Sequence, residues 1–252
     1  MRIDCLRSRA LEVATRSDVT RMRILVLADI HANWSALSAI WHEPFDACLF
    51  LGDLVEYGGD PIPCIDWIRR FATAAIKGNH DHSVAQRVSP NTGSGLRRLA
   101  GETRQQHWSV LSPTHIKYLA QLPVTQTVQL DGLRFHLVHA TPRDPMDEYL
   151  SDQSEQWKIQ LAGIKADIVC VGHTHIPLHL DLGEWQLLNP GSVGQPRDGD
   201  PRAAYAIITN GRIELKRIPY DIDATVRGLQ NAGITADILE LAEAILRTGG
   251  RP

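Results

Sequence analysis

Four apolar runs in this chain are each followed directly by residues of the types that bind metal ions. The runs cover residues 24–28, 47–51, 73–76 and 167–171. Short apolar runs bounded by glycine and polar residues are typical of buried strands. Open α/β sheets carry their active sites at the carboxyl ends of the strands. We therefore expect the residues that follow the four runs to meet at one edge of a sheet.

The segments after these runs supply carboxylate, imidazole and amide side chains. Residues 77–81 read Lys-Gly-Asn-His-Asp, which is typical of a turn after a buried strand. Asp29 and His31 are two residues apart at a strand end, so we expect both side chains to point the same way. A further strand-like run ends at His139. The candidate ligands are, in chain order, Asp29, His31, Asp53, Asn79, His139, His173 and His175.

Each candidate ligand alone also fits a turn residue or a satisfied core histidine, but their number favours a metal site. Oxygen and imidazole ligands without sulfur suit manganese, iron, zinc, nickel or cobalt rather than a structural zinc ion. The seven residues are too many for one ion. They fit two ions about 3.5–4 Å apart that share a carboxylate, an arrangement used for phosphoryl chemistry.

The remaining pattern divides the chain into two parts. Up to residue 76, strands alternate with helices, which predicts parallel strands. From Val124 the apolar residues recur with period two, and the Asp-Gly at 131–132 and the Asn-Gly at 210–211 indicate hairpins. We predict an α/β (α+β) fold in which two sheets pack together with helices outside. The predicted strands cover about 23–28, 47–51, 73–76, 124–130, 133–139, 167–171, 177–182, 185–188, 203–209 and 212–218, and the helices about 34–42, 60–71, 96–108, 112–122, 154–163, 221–230 and 235–247.

The domain organisation predicted from the sequence is simple. We expect residues 22–252 to form one domain that closes with helices over 221–247, because no linker or repeat divides the chain. Residues 1–21 contain several arginines and no apolar block, and Met22 stands directly before the first strand. They do not read as a secretory signal. We expect them to be a flexible extension or the result of a misplaced start.

Composition excludes several classes of protein. The formal net charge of −3 argues against general affinity for nucleic acid or for an anionic membrane surface. No run approaches the roughly 18–20 apolar residues of a membrane span. The four cysteines form no CxxC motif, and Cys48 and Cys170 lie inside apolar runs. The pattern fits a reducing cytoplasm without a thiolate metal site.

Three arginines lie in the helix predicted over about 96–108, which follows a predicted flexible loop from residue 83 onwards. Arg97, Arg98 and Arg104 fit a solvated helix face. The alternative is a basic lid that meets an anionic substrate.

The order of the motifs resembles that of the calcineurin-like metallophosphoesterases. The pattern of that family runs DxH, GDxxxxG, GNH(D/E), a histidine at a strand end, and GHxH. The chain has the five elements in order within about residues 22–220, at 29–31, 52–58, 78–81, His139 and 172–175. Residues 189–194, Asn-Pro-Gly-Ser-Val-Gly, also resemble a turn of the small bacterial phosphodiesterase-like members.

The resemblance implies a four-layer sandwich of two mixed sheets flanked by helices, with two divalent metal ions, manganese first among the metals named above. One ion would be held by Asp29, His31 and His175, the other by Asn79, His139 and His173, and Asp53 would bridge them. A water or hydroxide between the ions would attack phosphorus. His80 would stabilise or protonate the leaving oxygen, and Asp81 would orient its ring.

Departures from the family pattern narrow the range of expected substrates. Tyr57 and Lys77 stand where protein Ser/Thr phosphatases of this superfamily carry arginines that bind phosphate. The resemblance therefore implies a phosphodiesterase or a small phosphatase acting on nucleotides or similar small phosphate esters, with diester and monoester both open. One alternative is a scaffold that has lost catalysis, although such members lose ligands or the histidine after the amide. Another is a nuclease, against which the acidic balance and the lack of an added DNA-binding domain weigh.

Overall fold

The computed structural model describes residues 22–90 and 93–250, so the extension predicted over 1–21 lies outside the described residues. The strands are β1 (Arg23–Leu27), β2 (Ala47–Phe50), β3 (Ala74–Ala75), β4 (Thr125–Leu130), β5 (Leu133–Val138), β6 (Ile168–Cys170), β7 (Leu178–Asp181), β8 (Gln186–Asn189), β9 (Ala203–Thr209) and β10 (Arg212–Ile218). The helices are α1 (Trp34–Ala39), α2 (Pro61–Phe71), α3 (Asn79–Ala85), α4 (Leu96–Val110), α5 (Pro113–Gln121), α6 (Ser154–Leu161), α7 (Ile222–Asn231) and α8 (Ala236–Thr248).

The strands form two mixed sheets of five strands each. The first has the order β10-β9-β1-β2-β3, in which β1, β2 and β3 are parallel and β9 is antiparallel to both of its neighbours. The second has the order β4-β5-β6-β8-β7, in which β5, β6 and β8 are parallel and the two edge strands are antiparallel. The predicted architecture of two packed mixed sheets with flanking helices is confirmed.

Alternate residues of β1 face opposite sides of the first sheet. Ile24 and Val26 belong to a buried cluster between the sheets that includes Phe135 of β5. Leu25 and Leu27 belong to a second cluster, which contains residues of α1 and α2. Both faces of the sheet are therefore covered, and this is why β1 reads as a continuous apolar run. Helix α6 covers the outer face of the second sheet in the same way.

The carboxyl ends of strands from the two sheets meet at one edge. His139, which follows β5, donates from Nδ1 to the carbonyl oxygen of Leu51, which follows β2, at 2.8 Å. The backbone N–H of His173, which follows β6, lies 3.1 Å from Asp29 Oδ2 after β1. The polar segments therefore come together as the sequence predicts.

Helix α3 is the main element that the sequence pattern does not predict. Residues 77–81 read as a turn and residues from 83 onwards as a loop, but Asn79–Ala85 is helical. Asn, His, Asp and Ser are weak helix formers that are more common in turns and caps. Asp81, the third residue of the helix, accepts a hydrogen bond from the N–H of the N-cap Gly78 at 3.0 Å, and this capping contact stabilises the first turn. It places Asn79 and His80 in the first turn.

Smaller differences concern element ends. The helix predicted over 34–42 ends at Ala39 and continues as a 3-10 turn over Ile40–His42. The strand predicted over 73–76 is reduced to two residues, Ala74–Ala75. Within the described residues no helix has both the length and the hydropathy that a membrane crossing requires.

Candidate metal centre

Five of the seven candidate ligands, which follow strands β1, β2 and β6, adopt the left-handed backbone conformation. The φ angles are 53° at Asp29, 49° at His31, 60° at Asp53, 66° at His173 and 60° at His175. Such angles cost about 1–2 kcal/mol each for residues other than glycine, and they cluster at functional sites. Asp29 and His31 therefore converge through a turn after β1, and not through the strand alternation that the sequence suggested.

Backbone hydrogen bonds hold the Asp29–His31 segment in this conformation. The N–H groups of Asp29 and His31 donate to the carbonyl oxygens of Gly52 and Asp53, both at 3.0 Å. On the other side, Ser192 Oγ and the N–H of Gly194 donate to the carbonyl oxygen of Asp29 at 2.7 and 3.0 Å. The segment at 189–194 thus packs directly on the first motif.

Four buried residues form the first ligand cluster. Ligand atoms of Asp29, His31, Asp53 and His175 all lie within 4.8 Å of one another. His31 Nε2 lies 3.0 Å from His175 Nε2 and 3.8 Å from Asp53 Oδ2, and His175 Nε2 lies 3.5 Å from Asp29 Oδ1. Two carboxylates and two imidazoles at this separation are able to coordinate one divalent cation.

A second cluster shares Asp53 with the first. Ligand atoms of Asp53, His139 and His173 lie within 4.8 Å of one another, with His139 Nε2 at 3.2 Å from Asp53 Oδ2. The start of α3 lies beside them, because the N–H of His80 donates to Asp53 Oδ1 at 3.0 Å. Asn79 Oδ1 is buried without a hydrogen-bond partner among the described residues. An orphaned buried oxygen next to a cluster of this kind fits a metal ligand.

The tautomers of three histidines direct lone pairs into the site. His31, His139 and His175 each place Nδ1 against a backbone carbonyl oxygen, at 3.0, 2.8 and 2.6 Å respectively. A carbonyl oxygen only accepts, so Nδ1 carries a proton in each ring, and Nε2 presents a lone pair whenever the ring is neutral. The Nε2 lone pairs of His31 and His175 then face each other at 3.0 Å. A cation bound by both nitrogens removes this repulsion, as in metal sites whose histidines donate to outer partners.

Burial shapes the charges of these groups. Burial raises the pKa of Asp29 to about 7, against the lowering effect of His139. For Asp53 burial acts in the same direction, but the charges of His139 and His80 hold its pKa well below the usual range. Burial lowers the pKa of His31 and of His175 well below the ordinary value for histidine. Burial also acts to lower the pKa of His139, but the charge of Asp53 outweighs it and raises that pKa to about 10. Carboxylates packed against imidazoles are the chemistry of a cation site.

His80 is held by Glu56 and not by Asp81. His80 Nδ1 lies 2.6 Å from Glu56 Oε2, and His80 Nε2 lies 3.9 Å from Asp53 Oδ2. The carboxylate of Asp81 instead accepts from the backbone N–H groups of Asp53, Leu54 and Gly78 at 2.8, 2.8 and 3.0 Å. The prediction that Asp81 orients the ring is therefore wrong. Through these hydrogen bonds Asp81 connects the Asp53 segment to the start of α3.

Arg104 completes this arrangement, and sequence reasoning missed it. Its Nε donates to Glu56 Oε1 at 2.6 Å, and both side chains are buried. Neither the solvated face nor the basic lid describes Arg104, although Arg98 is part-exposed and pairs with Glu102 and Asp237. Arg104 shares a face of α4 with the buried residues Ala100 and His107, four before and three after it. That helical spacing was the available signal.

Two aromatic rings border the ligands. The ring of Tyr57 lies 4.6 Å from that of His31 and 4.7 Å from that of His80, between ring centroids. The ring of Tyr149 lies 4.1 Å from that of His173. Lys77 donates from Nζ to the carbonyl oxygen of Ala120 at 2.8 Å.

Most of this chain is similar in sequence to known proteins. Residues 22–211 match the calcineurin-like phosphoesterase superfamily domain. An uncharacterized protein of Methanocaldococcus jannaschii is 29% identical over 231 residues, which cover 81% of this chain and 90% of that protein. A probable metallophosphoesterase of Mycoplasma pneumoniae is 25% identical over 198 residues, which cover 76% of this chain and 92% of that protein.

Solved structures share the fold. The metallophosphoesterase from Sphaerobacter thermophilus matches with a TM-score of 0.77 and 31% identity, over 91% of this chain and 99% of that one. A hypothetical protein from Pyrococcus horikoshii matches with a TM-score of 0.77 and 20% identity over 91% of this chain and 99% of that one, which is evidence for the fold alone. Since the domain match spans residues 22–211 and contains both ligand clusters, the chain belongs to the calcineurin-like phosphoesterase superfamily.

Proposed function

We propose that the protein is a dinuclear metal-dependent phosphoesterase that hydrolyses phosphodiesters or small nucleotide-type phosphate esters. Membership of the superfamily implies hydrolysis of phosphate esters. The observation that carries the proposal is the sharing of Asp53 between two ligand clusters, with His80 next to both and bound to Glu56 at its far nitrogen. A scaffold that only binds metal ions has no need of a histidine held by a buried carboxylate beside the two clusters.

In this proposal the two clusters hold two divalent ions, with manganese as the first metal to test. One ion would be held by Asp29, His31 and His175, the other would be held by Asn79, His139 and His173, and Asp53 would contribute to both sites. The tautomers of His31, His139 and His175 and the orphaned oxygen of Asn79 support this assignment. When bound, the ions supply an acidified water and neutralise charge on the phosphoryl oxygens.

The residues of the chain have distinct tasks in hydrolysis. Glu56 accepts the Nδ1 proton of His80, and this fixes the ring so that Nε2 faces Asp53 and the ligand clusters. Nε2 then carries the proton that the leaving oxygen needs, which is general-acid assistance. The ring of Tyr57 packs against His31 and His80 on one side.

Small phosphate esters are the substrate class that the site favours. Tyr57 and Lys77 replace the arginines with which protein phosphatases of this superfamily bind phosphate, and the amine of Lys77 is used by Ala120. The metallophosphoesterase from Sphaerobacter thermophilus, at 31% identity, supports hydrolysis of phosphate esters by this chain as well.

Hydrolysis of two chromogenic esters tests the proposal. The metal-stripped protein with Mn²⁺ restored is assayed with bis-p-nitrophenyl phosphate and with p-nitrophenyl phosphate. We expect metal-dependent turnover that falls at least about 100-fold in His80→Ala, because general-acid catalysis contributes that much or more. His82→Ala is the matched control, since His82 lies exposed on the same helix, and it should keep the activity.

The outcomes separate the candidate functions. Diester turnover favours the phosphodiesterase, and monoester turnover alone favours a small phosphatase or nucleotidase. No turnover with any metal despite two bound ions contradicts the proposal and supports the scaffold. Cleavage of DNA with salt-dependent binding supports the nuclease.

A further inference from the structure

Arg197 brings a cationic group to one side of the metal centre. Its backbone N–H donates to the carbonyl oxygen of His175 at 3.3 Å, so its loop lies directly on the last ligand segment. Its guanidinium carbon lies 5.7 Å from the centroid of the Tyr57 ring. The Tyr57 ring in turn lies 4.6 Å from that of His31. The guanidinium is therefore next to the side of the site formed by His31 and His175.

The guanidinium retains hydrogen-bonding capacity. Arg197 Nη2 donates to Gln195 Oε1 at 2.9 Å, and the guanidinium also hydrogen-bonds the Tyr57 side chain, but Nε is buried and has no hydrogen-bond partner among the described residues. A buried charged donor without a partner is costly, so an unpaired one next to a reactive centre points to an anionic ligand. A guanidinium suits phosphate because it offers donors in a planar fork.

The neighbouring cationic side chains are already hydrogen-bonded to other protein groups. Arg104 uses Nε and Nη2 on Glu56 and Nη1 on the carbonyl oxygen of Val88. Lys77 donates to the carbonyl oxygen of Ala120 on α5. Arg197, by contrast, donates to the neutral side chain of Gln195 and lies over the neutral ring of Tyr57.

The loop that carries Arg197 is held from both ends. Asp198 forms an ion pair with Arg217 of β10. The N–H of Gly199 donates to the carbonyl oxygen of Gly249 at 2.9 Å, where α8 ends. A Cβ atom at Gly250 would lie 2.7 Å from Arg197 Cα, so only glycine allows this close packing. The backbone of Arg197 is thus held in place before any ligand binds, and Gln195 holds its Nη2, which reduces the entropic cost of binding.

We propose that Arg197 binds a non-bridging phosphoryl oxygen of the substrate, on the side of the centre formed by His31 and His175. The inference rests on the proposed phosphoesterase function. It assigns to Arg197 the phosphate-binding charge that Tyr57 and Lys77 do not provide.

Binding of inorganic phosphate to the Mn²⁺-loaded protein, measured by isothermal titration calorimetry, tests this role. We expect Arg197→Gln to weaken phosphate binding about 10- to 100-fold, the usual effect of removing a hydrogen bond to a charged group. Arg197→Lys should be intermediate, because lysine keeps the charge but not the fork. The control is Arg202→Gln, at an exposed arginine paired with Asp200 on the same loop, and it should bind as the wild type does.

Metal content, measured on the same samples, distinguishes a role of Arg197 in phosphate binding from a role in holding the metal ions. Weaker phosphate binding with full metal content confirms the role of Arg197. Unchanged phosphate affinity in Arg197→Gln, or loss of metal from both Arg197 variants, overturns this role. If Arg197→Gln does not fold, Arg197→Lys decides by the same criteria. Because phosphate binding needs no turnover, a protein without hydrolytic activity still tests Arg197 separately from the proposed function.

Discussion

At the scale of single residues, a buried ion pair keeps His80 in position. Glu56 is fully buried, and its carboxylate lies 2.6 Å from Arg104 Nε and 2.6 Å from His80 Nδ1. Removing a carboxylate and a guanidinium from water costs several kcal/mol, which is offset only while both partners are present. Loss of one partner therefore affects both stability and the orientation of His80.

Glu56→Gln should lower the free energy of unfolding by about 3–5 kcal/mol, because it leaves Arg104 as a buried charge without its counter-ion. Turnover should fall as well, since His80 loses its charged acceptor. The control is Glu214→Gln, at an exposed pair with Arg212, which should cost less than about 1 kcal/mol. Chemical denaturation followed by tryptophan fluorescence measures both variants. Equal losses at the two positions would contradict the importance of the buried pair.

His107 makes stability depend on pH. Its Nδ1 lies 3.2 Å from the N–H of Glu56 and its Nε2 lies 3.0 Å from the carbonyl oxygen of Gly58. Burial lowers its pKa from 6.5 to about 4. As pH falls below 6.5 the unfolded chain takes up the proton first, so the free energy of unfolding decreases until about pH 4. Above pH 6.5 both states are neutral at this residue, and the contribution is complete.

His107→Gln should remove this pH dependence while keeping a donor and an acceptor in the same place. Between pH 7 and pH 4 the wild type should lose about 3 kcal/mol more than the variant, from the pKa difference at this one residue. Urea denaturation at several pH values measures the two curves, and the other titrating groups cancel in their difference. Parallel curves would mean that His107 is not neutral in the folded protein.

The clustering of the candidate ligands was predictable from the sequence because strand ends converge, whereas the partner of His80 was not. Asp81 is adjacent to His80, and adjacency suggested a contact. In a helix, however, neighbouring residues point about 100° apart. Asp81 therefore faces the backbone of Asp53, and the contact to His80 comes from Glu56, a residue 24 positions earlier. Such a pairing exists only once β2 and α3 have packed together.

At the scale of elements, close backbone contacts join the end of β2 to the start of α3. Gly52 has a φ of 95°, and a Cβ atom there would lie 2.5 Å from the backbone nitrogen of Gly78 and 2.9 Å from His139 Nδ1. Gly78 likewise leaves room for the carboxylate of Asp53. These glycines allow two loops to meet closely enough for Asp53, Asn79 and His139 to share a site.

Gly52→Ala should destabilise the protein by more than the same change at Gly163. Both glycines have similar φ angles, 95° and 90°, but no heavy atom lies within 4 Å of a Cβ atom built at Gly163. Gly163→Ala should therefore cost only the conformational penalty of about 1–2 kcal/mol. Gly52→Ala should cost about 1–3 kcal/mol in addition, because of overpacking. Thermal unfolding and metal content measure both, and equal effects would mean that the contact at Gly52 relaxes freely.

Regular elements were predicted closely where local signals were strong. The hairpin over 203–209 and 212–218 has the predicted ends, because an Asn-Gly turn and period-two alternation specify both strands and their register. Helix α3 was missed because its residues favour turns and its N-cap bond depends on Asp81. Local sequence pattern also does not specify which sheet a hairpin joins, since β9 pairs with β1, a strand about 180 residues earlier.

At the scale of the whole molecule, the site exists only where the two sheets meet. The first sheet contributes Asp29, His31, Asp53 and Asn79, and the second contributes the three later histidines, His139, His173 and His175. Asp53 belongs to both ligand clusters, so it joins the two sides of the sandwich. The C-terminal residues take part through Gly249 and Gly250, which pack on the loop that carries Arg197. No local segment of the chain contains this arrangement.

The proposed two-ion centre around Asp53 is tested most directly by crystals grown with Mn²⁺ and an anomalous difference map recorded at the manganese edge. We predict two peaks, both in contact with the carboxylate of Asp53, one beside His31 and His175 and the other beside His139 and His173. A single peak, or peaks that do not contact Asp53, would contradict the dinuclear centre.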